Sequence, residues 1–207
     1  MGSHRRGTQA APVSDDFTLA SAAVRRGRLI VLPTDTIYGV GALPRSPGGV
    51  AGIFEAKGRP MDRPIPVLAA SAEDLYDVVV FDERARAVAA ALWPGPLSLV
   101  LERRPDWPYD LGGNQATIAV RVTRNEVARR LLERTGPLAV TSANVSGEPP
   151  AKTVDEARAA LGDRVAVYLD GGPCTDEPSS VVSLVGEEVR LLREGSVSLE
   201  QVQSVIE

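Results

Sequence analysis

Histidine, cysteine and lysine are almost missing from this chain. Of 207 residues, one is histidine (His4) and one is cysteine (Cys174). A Ser-His-Asp triad, a histidine general base and a histidine-built metal site each lack their central part. A single thiol excludes an intramolecular disulfide and any multi-cysteine zinc or iron–sulfur site. No histidine is at hand to activate Cys174, which reads as incidental in a polar loop. No apolar run approaches the roughly 18 residues of a membrane span, and no signal-peptide h-region is present. Of 23 basic residues only Lys57 and Lys152 are lysines, each beside a candidate site loop. The arginine bias, with abundant Ala, Gly, Val and Pro, fits a GC-rich bacterial genome. The net charge of −4 is not that of a dedicated nucleic-acid binder, although it leaves room for a local basic cleft.

What is present is ordinary for a globular protein, at 43% apolar and 24% charged residues. A chain of this length buries enough surface for one core to carry it without staples. Residues 1–15 are polar and aperiodic and read as a flexible tail, with 1–4 resembling a tag remnant. Residues 16–207 read as one domain. A helical stripe over Leu19–Val24 stops at Gly27. Buried strands are expected at 29–32, 65–69, 97–101 and 138–141, and a half-buried strand at 117–122. Further strands are expected at 165–169, 180–184 and 189–192. Residues 33–46 read as turns. Asp82, Asn125, and the pairs Ser71/Asp74 and Thr153/Glu156 read as helix caps. Helices between most early strands argue a layered α+β or α/β domain.

Five constellations can carry chemistry. Lys57-Gly58-Arg59-Pro60-Met61-Asp62-Arg63-Pro64 sets three cations in a rigid loop. That suits a polyanion, and it equally suits cations at a helix C-terminus. Ser142-Ala143-Asn144-Val145-Ser146-Gly147 follows a strand, where ligands collect, or it satisfies its own backbone as a turn. Pro33-Thr34-Asp35-Thr36 offers hydroxyls and a carboxylate that orient an amine or alcohol, or simply cap a turn. Arg121 lies on the strand face opposite Ile118, Val120 and Val122, and grips a carboxylate if that face is a cleft, or sits in solvent if it is not. Asp170-Gly171-Gly172 and Ser179-Ser180 let backbone approach a ligand, or form a turn. Together they sketch a site rich in arginine and hydroxyls that lacks histidine. This suits phosphate-activated acids, where positioning and charge stabilisation replace a strong base.

In order, Pro-Thr-Asp-Thr-Ile-Tyr-Gly-Val-Gly (33–41), Lys-Gly-Arg-Pro (57–60) with Arg63-Pro64, and Trp-Pro-Gly-Pro (93–96) resemble the YrdC/TsaC family of threonylcarbamoyl-AMP synthases. Ser-Ala-Asn-Val-Ser-Gly (142–147), Ser-Ser-Val-Val (179–182) and Leu-Arg-Glu-Gly (192–195) complete the set. The resemblance implies a three-layer α+β (α/β-like) fold, with a twisted mixed sheet flanked by helices and an open, concave, basic cleft. It implies a nucleotidyltransferase that makes threonylcarbamoyl-AMP and pyrophosphate from L-threonine, bicarbonate and ATP, with Mg²⁺ carried by the nucleotide. It places the enzyme in the cytoplasm, in tRNA modification, with downstream threonylcarbamoyl-transfer proteins and tRNA contact through the basic face. Position by position, Lys57 and Arg59 fall at the catalytic positions, and Thr36, Arg121, Ser142 and Ser179 at the threonine site. Arg59, Arg63, Thr117, Asn144, Lys152, Thr153 and Arg193 fall at the ATP site, and no residue falls at a protein metal site. Leu68 stands where longer members often carry a histidine. Two readings of other activity stand beside it: a YciO-like RNA- or nucleotide-binding relative, against which the complete Lys57-x-Arg59 and Ser142-x-Asn144 pair argues, and a carbamoyl-adenylate-handling domain like that of hydrogenase-maturation proteins, which belongs to much longer chains.

Overall fold

A computed structural model describes residues 14–175 and 177–206. Residues 1–13 of the expected tail, including His4 and the tag-like stretch, lie outside the described residues. Ser14 and Asp15 already belong to helix α1 (Ser14–Arg25), so that helix begins ahead of the expected boundary at 16.

Nine strands form one mixed sheet: β1 (Ile30–Pro33), β2 (Tyr38–Ala42), β3 (Val67–Ala69), β4 (Leu97–Glu102), β5 (Thr117–Val122), β6 (Leu138–Ser142), β7 (Val167–Tyr168), β8 (Ser180–Ser183) and β9 (Arg190–Arg193). Their spatial order is β7-β1-β2-β6-β3-β5-β4-β8-β9. The pairs β1/β7, β3/β5 and β4/β8 are parallel and the rest antiparallel. The remaining helices are α2 (Pro47–Lys57), α3 (Glu83–Leu92), α4 (Glu126–Thr135), α5 (Val154–Leu161) and α6 (Leu199–Ile206).

Local chemistry sets the helix starts. The side chains of Ser46, Asp82, Asn125 and Thr153 each accept a backbone N–H from the first turn of α2, α3, α4 and α5. The expected Ser71/Asp74 box is reciprocal, with Ser71 N–H on Asp74 and Asp74 N–H on Ser71, and opens only a single 3₁₀ turn, Glu73–Leu75. One expectation fails at element level. The glycine-rich stretch within 33–46 is not all turn, because Tyr38–Ala42 is the buried strand β2, paired to both β1 and β6.

Strand alternation divides the core in two. Val31, Val67, Leu97, Leu99, Ile118, Val120 and Val122 pack with α2, α3, α5 and α6 on one face. Ile30, Leu32, Leu68, Leu138 and Val140 belong to the other, where Phe17, Val24, Leu131 and Leu132 of α1 and α4 cover them. The strand contacts of α1 and α4 are chiefly with β1 and β7, at one end of the sheet. Past Leu68 of β3, this second helical layer leaves the same face of β5, β4 and β8 to line a cavity.

Candidate active site

The open face holds a cavity of about 220 Å³. Alternation carries polar groups into it. Leu97, Leu99 and Leu101 of β4 face the core, so Ser98 faces the cavity, and on β5 Arg121 does the same opposite Val120 and Val122. Thr36 comes from the β1–β2 turn, Ser142 from the end of β6, and Ser179 and Arg193 from β8's entry and β9. Arg59 reaches in from the loop after α2.

The β1–β2 turn is folded on Thr34. Its hydroxyl donates to the Ile37 carbonyl (2.7 Å) and accepts the N–H groups of Thr36 and Ile37 (both 3.2 Å). This presents Thr36 Oγ1 to Arg121, whose terminal nitrogen donates to it at 3.2 Å. The guanidinium also donates from Nε to the Gly95 carbonyl (3.0 Å) and ion-pairs with Asp35 (2.7 Å). Thr123 Oγ1 donates to the other carboxylate oxygen of Asp35 at 2.6 Å. Arg121 is thus buried and oriented, not a charge on a solvated sheet face. Asp35 is buried under it, so its carboxylate is not free to orient an amine as the turn motif allowed.

At the opposite wall the guanidinium of Arg193 donates to the Ser179 carbonyl (2.7 and 3.0 Å) and hydroxyl (2.8 Å). A register slip between Val181 and Val182 in the β8/β9 ladder turns Arg193 that way. A Cβ on Gly195 would overlap the backbone of Pro178 and Ser179, so only glycine allows the Leu-Arg-Glu-Gly loop to lie this close. Ser179 Oγ lies 3.5 Å from Ser98 Oγ. Desolvation lowers the affinity of Arg193 for its proton, and the nearby charge of Arg121 lowers it further. Desolvation and then Arg63 do the same to Arg59. Like charges gathered on one concave surface form a place for an anion.

Lys57 departs from the simple picture of a loop cation. It ends α2 with Gly58 in the left-handed region (φ 58°), and its side chain is buried. The ammonium donates to the carbonyls of Ser142 and of Asn144 (2.6 Å), beneath the cavity rather than along its lining. Burial pushes its pKa down to about 8, and the charge of Arg59 adds to the effect. Asn144 is buried beside it, its amide donating to the carbonyls of Val145 (2.8 Å) and Glu148 (2.7 Å). The two family signatures, Lys57-x-Arg59 and Ser142-x-Asn144, are one joined structure. Their buried members brace the loop, while Arg59 and Ser142 line the cavity.

Other predicted residues lie apart from that lining. Arg63 is exposed, and its carbonyl accepts Arg59 Nε at 3.1 Å. Thr117 shares the face of Arg121 but lines a separate depression with Glu102 and Arg103. Thr153 caps α5, and exposed Lys152 offers its backbone N–H to Glu156. Ser98 was not among the predicted site residues, although the alternation of β4 signals it. Asp35 and Gly95 stood in quoted motifs, but nothing local signals that both are partners of Arg121.

Arginines converging on a small hydroxyl-lined cavity at the bare end of the mixed sheet give this α/β protein a place suited to a small anionic or zwitterionic ligand. The sequence matches the Sua5/YciO/YrdC family, described as telomere recombination, over residues 22–195, and the chain belongs to that family. A Mycobacterium tuberculosis protein provisionally named threonylcarbamoyl-AMP synthase is 43% identical over 189 residues, covering 90% of this chain and 87% of the relative. The threonylcarbamoyl-AMP synthase of Bacillus subtilis is 35% identical over 192 residues, 90% of this chain and 55% of that protein. Among solved structures, Pyrococcus abyssi Sua5 complexed with L-threonine superposes with a TM-score of 0.87 at 36% identity, over 92% of this chain and 57% of that one. The chain therefore spans little more than half of these last two relatives. Escherichia coli YciO shares the fold, with a TM-score of 0.84 at 24% identity.

Proposed function

We propose that this protein is an L-threonylcarbamoyladenylate synthase, a nucleotidyltransferase that forms threonylcarbamoyl-AMP and pyrophosphate from L-threonine, bicarbonate or CO₂, and ATP. The observation that carries this is the oriented guanidinium of Arg121 beside Thr36 in a cavity whose other walls are Ser142, Ser179, Arg59 and Arg193. The relative solved with L-threonine supports the reading. A cavity of about 220 Å³ is below the usual range for a drug-sized ligand and suits an amino acid, with the nucleotide over the open mouth.

The chemistry needs no protein nucleophile. The amine of threonine adds to CO₂ and loses a proton, giving a carbamate. A carbamate oxygen attacks the α-phosphorus of ATP, a P–O bond forms, and the bond to pyrophosphate breaks. Arg121 holds the threonine carboxylate through a charge-assisted hydrogen bond, and Thr36, Ser142 and Ser179 fix the rest of the amino acid. Arg59 and Arg193 neutralise charge gathering on phosphorus and pyrophosphate. Lys57 and Asn144 keep the Ser142 loop in place. Mg²⁺ would enter with the triphosphate, whose oxygens would supply its ligands. Arg63, Thr117, Lys152 and Thr153 are left to the outer nucleotide region. The product is destined for tRNA modification in the cytoplasm through partner transfer proteins.

Mass spectrometry of a reaction holding threonine, bicarbonate, ATP and Mg²⁺ should detect threonylcarbamoyl-AMP, with pyrophosphate release dependent on both threonine and bicarbonate. Equal ATP turnover without threonine overturns the assignment.

A further inference from the structure

The Asp35–Arg121 pair is costly to build. Both side chains are nearly sealed from water, at 2% and 8% exposure, and lie 2.7 Å apart. Burying two charges loses hydration that their attraction barely recovers, so such pairs are poor devices for stability alone. The pair is joined from 86 positions apart, and Thr123, two residues beyond Arg121, also donates to Asp35. Arg121 lines the cavity and Asp35 does not.

A guanidinium has five N–H donors in a fixed plane. Here Nε serves Gly95, one terminal nitrogen serves Thr36, and the other faces Asp35. These three fixed points define the plane. The nitrogen facing Asp35 is buried, so the N–H left over for a ligand is on the terminal nitrogen beside Thr36. Without Asp35 the plane could turn about the Nε bond and carry that donor away from the cavity. The carboxylate also offsets one of the three positive charges around the cavity, which lowers its attraction for bare anions relative to a zwitterion.

We infer that Asp35 is a positioning residue for amino-acid recognition, acting through Arg121 and itself held by Thr123. This inference rests on the threonine-binding reading above.

The test is a kinetic cycle on the full chain. Asp35→Asn keeps the size and the acceptor for Thr123 but removes the charge. It should raise the threonine KM about tenfold while the ATP KM moves less than about twofold. In an Arg121→Met background the same change should add less than about twofold, because both substitutions disable one device. Thr123→Val, which leaves both charges intact, should raise the threonine KM about threefold in the same selective manner. It decides the matter if Asp35→Asn does not fold. Equal rises in both Michaelis constants, or independent multiplication of the Asp35 and Arg121 effects, overturn the positioning role while the wild-type activity stands. A wild type that neither binds threonine by calorimetry nor forms product overturns the functional reading, and this inference with it.

Discussion

A buried ammonium behaves differently from one on a loop, and Lys57 shows how much that changes an experiment. From sequence it is a cation in a proline-braced polar loop, where truncation to alanine would be harmless to the fold. In the structure its ammonium is the partner of two backbone carbonyls, those of Ser142 and Asn144. Each carbonyl left bare costs about 1–3 kcal/mol, so Lys57→Ala confounds chemistry with folding. The pH dependence separates them. The native ammonium releases its proton near about 8, against an ordinary value of 10.5. Below about 8 both native and unfolded chains hold the proton, and this group contributes no slope. Between the two values the unfolded chain binds a proton that the native chain has lost, so its contribution to stability rises with pH. Thermal melts of wild type and Lys57→Met across that range should therefore show the wild type gaining on the variant as pH rises. A constant difference would mean that the ammonium keeps its ordinary proton affinity.

At the scale of elements, the caps were legible because they are local. Asp82, Asn125 and Thr153 need only the next three residues to act, and each does so. Strand β2 was hidden because Tyr-Gly-Val-Gly carries the residues of a turn. Its glycines serve a neighbour instead. A Cβ on Gly39 would meet Val140 Cγ1 at 2.5 Å, and one on Gly41 would meet Val140 Cγ2 at 3.0 Å. The side chain of Val140 on β6 fills the room they leave and forms part of the cavity wall. The same distinction explains the site. Arg121 could be assigned to a face from the alternation of its own strand, but its pairing with Asp35 needs a contact 86 residues away that no local pattern encodes. Gly39→Ala should accordingly lower stability by about 1–3 kcal/mol in denaturant titrations, through overpacking rather than loss of a turn. Val140→Ala in the same chain should restore part of that loss. If Gly39→Ala is neutral alone, the strand has room that the structure does not show.

Across the whole molecule, charge is distributed against its total. The chain carries a net charge of −4, yet the face of the sheet that α1 and α4 leave bare gathers Arg59, Arg121 and Arg193, with Asp35 as the counter-charge beneath. A polyanion approaching from a distance meets an acidic protein, and only within the cleft does the sign reverse. Attraction of this kind is focused by the low-dielectric walls of the sheet and screened by salt, with a Debye length of about 10 Å at 0.1 M and about 3 Å at 1 M. The two proposed substrates would sense it differently. ATP is highly charged and, on the proposed reading, lies across the open mouth, where salt penetrates. Threonine is a zwitterion without net charge, and the guanidinium proposed to hold it is 8% exposed. Raising NaCl from about 0.05 to about 0.5 M at fixed Mg²⁺ should thus raise the ATP KM several-fold and the threonine KM by less than about twofold. Arg193→Met, which removes a charge on the far wall without touching Asp35 or Arg121, should flatten the salt dependence for ATP. Equal salt sensitivity of the two substrates would place the nucleotide elsewhere than over this arginine cluster.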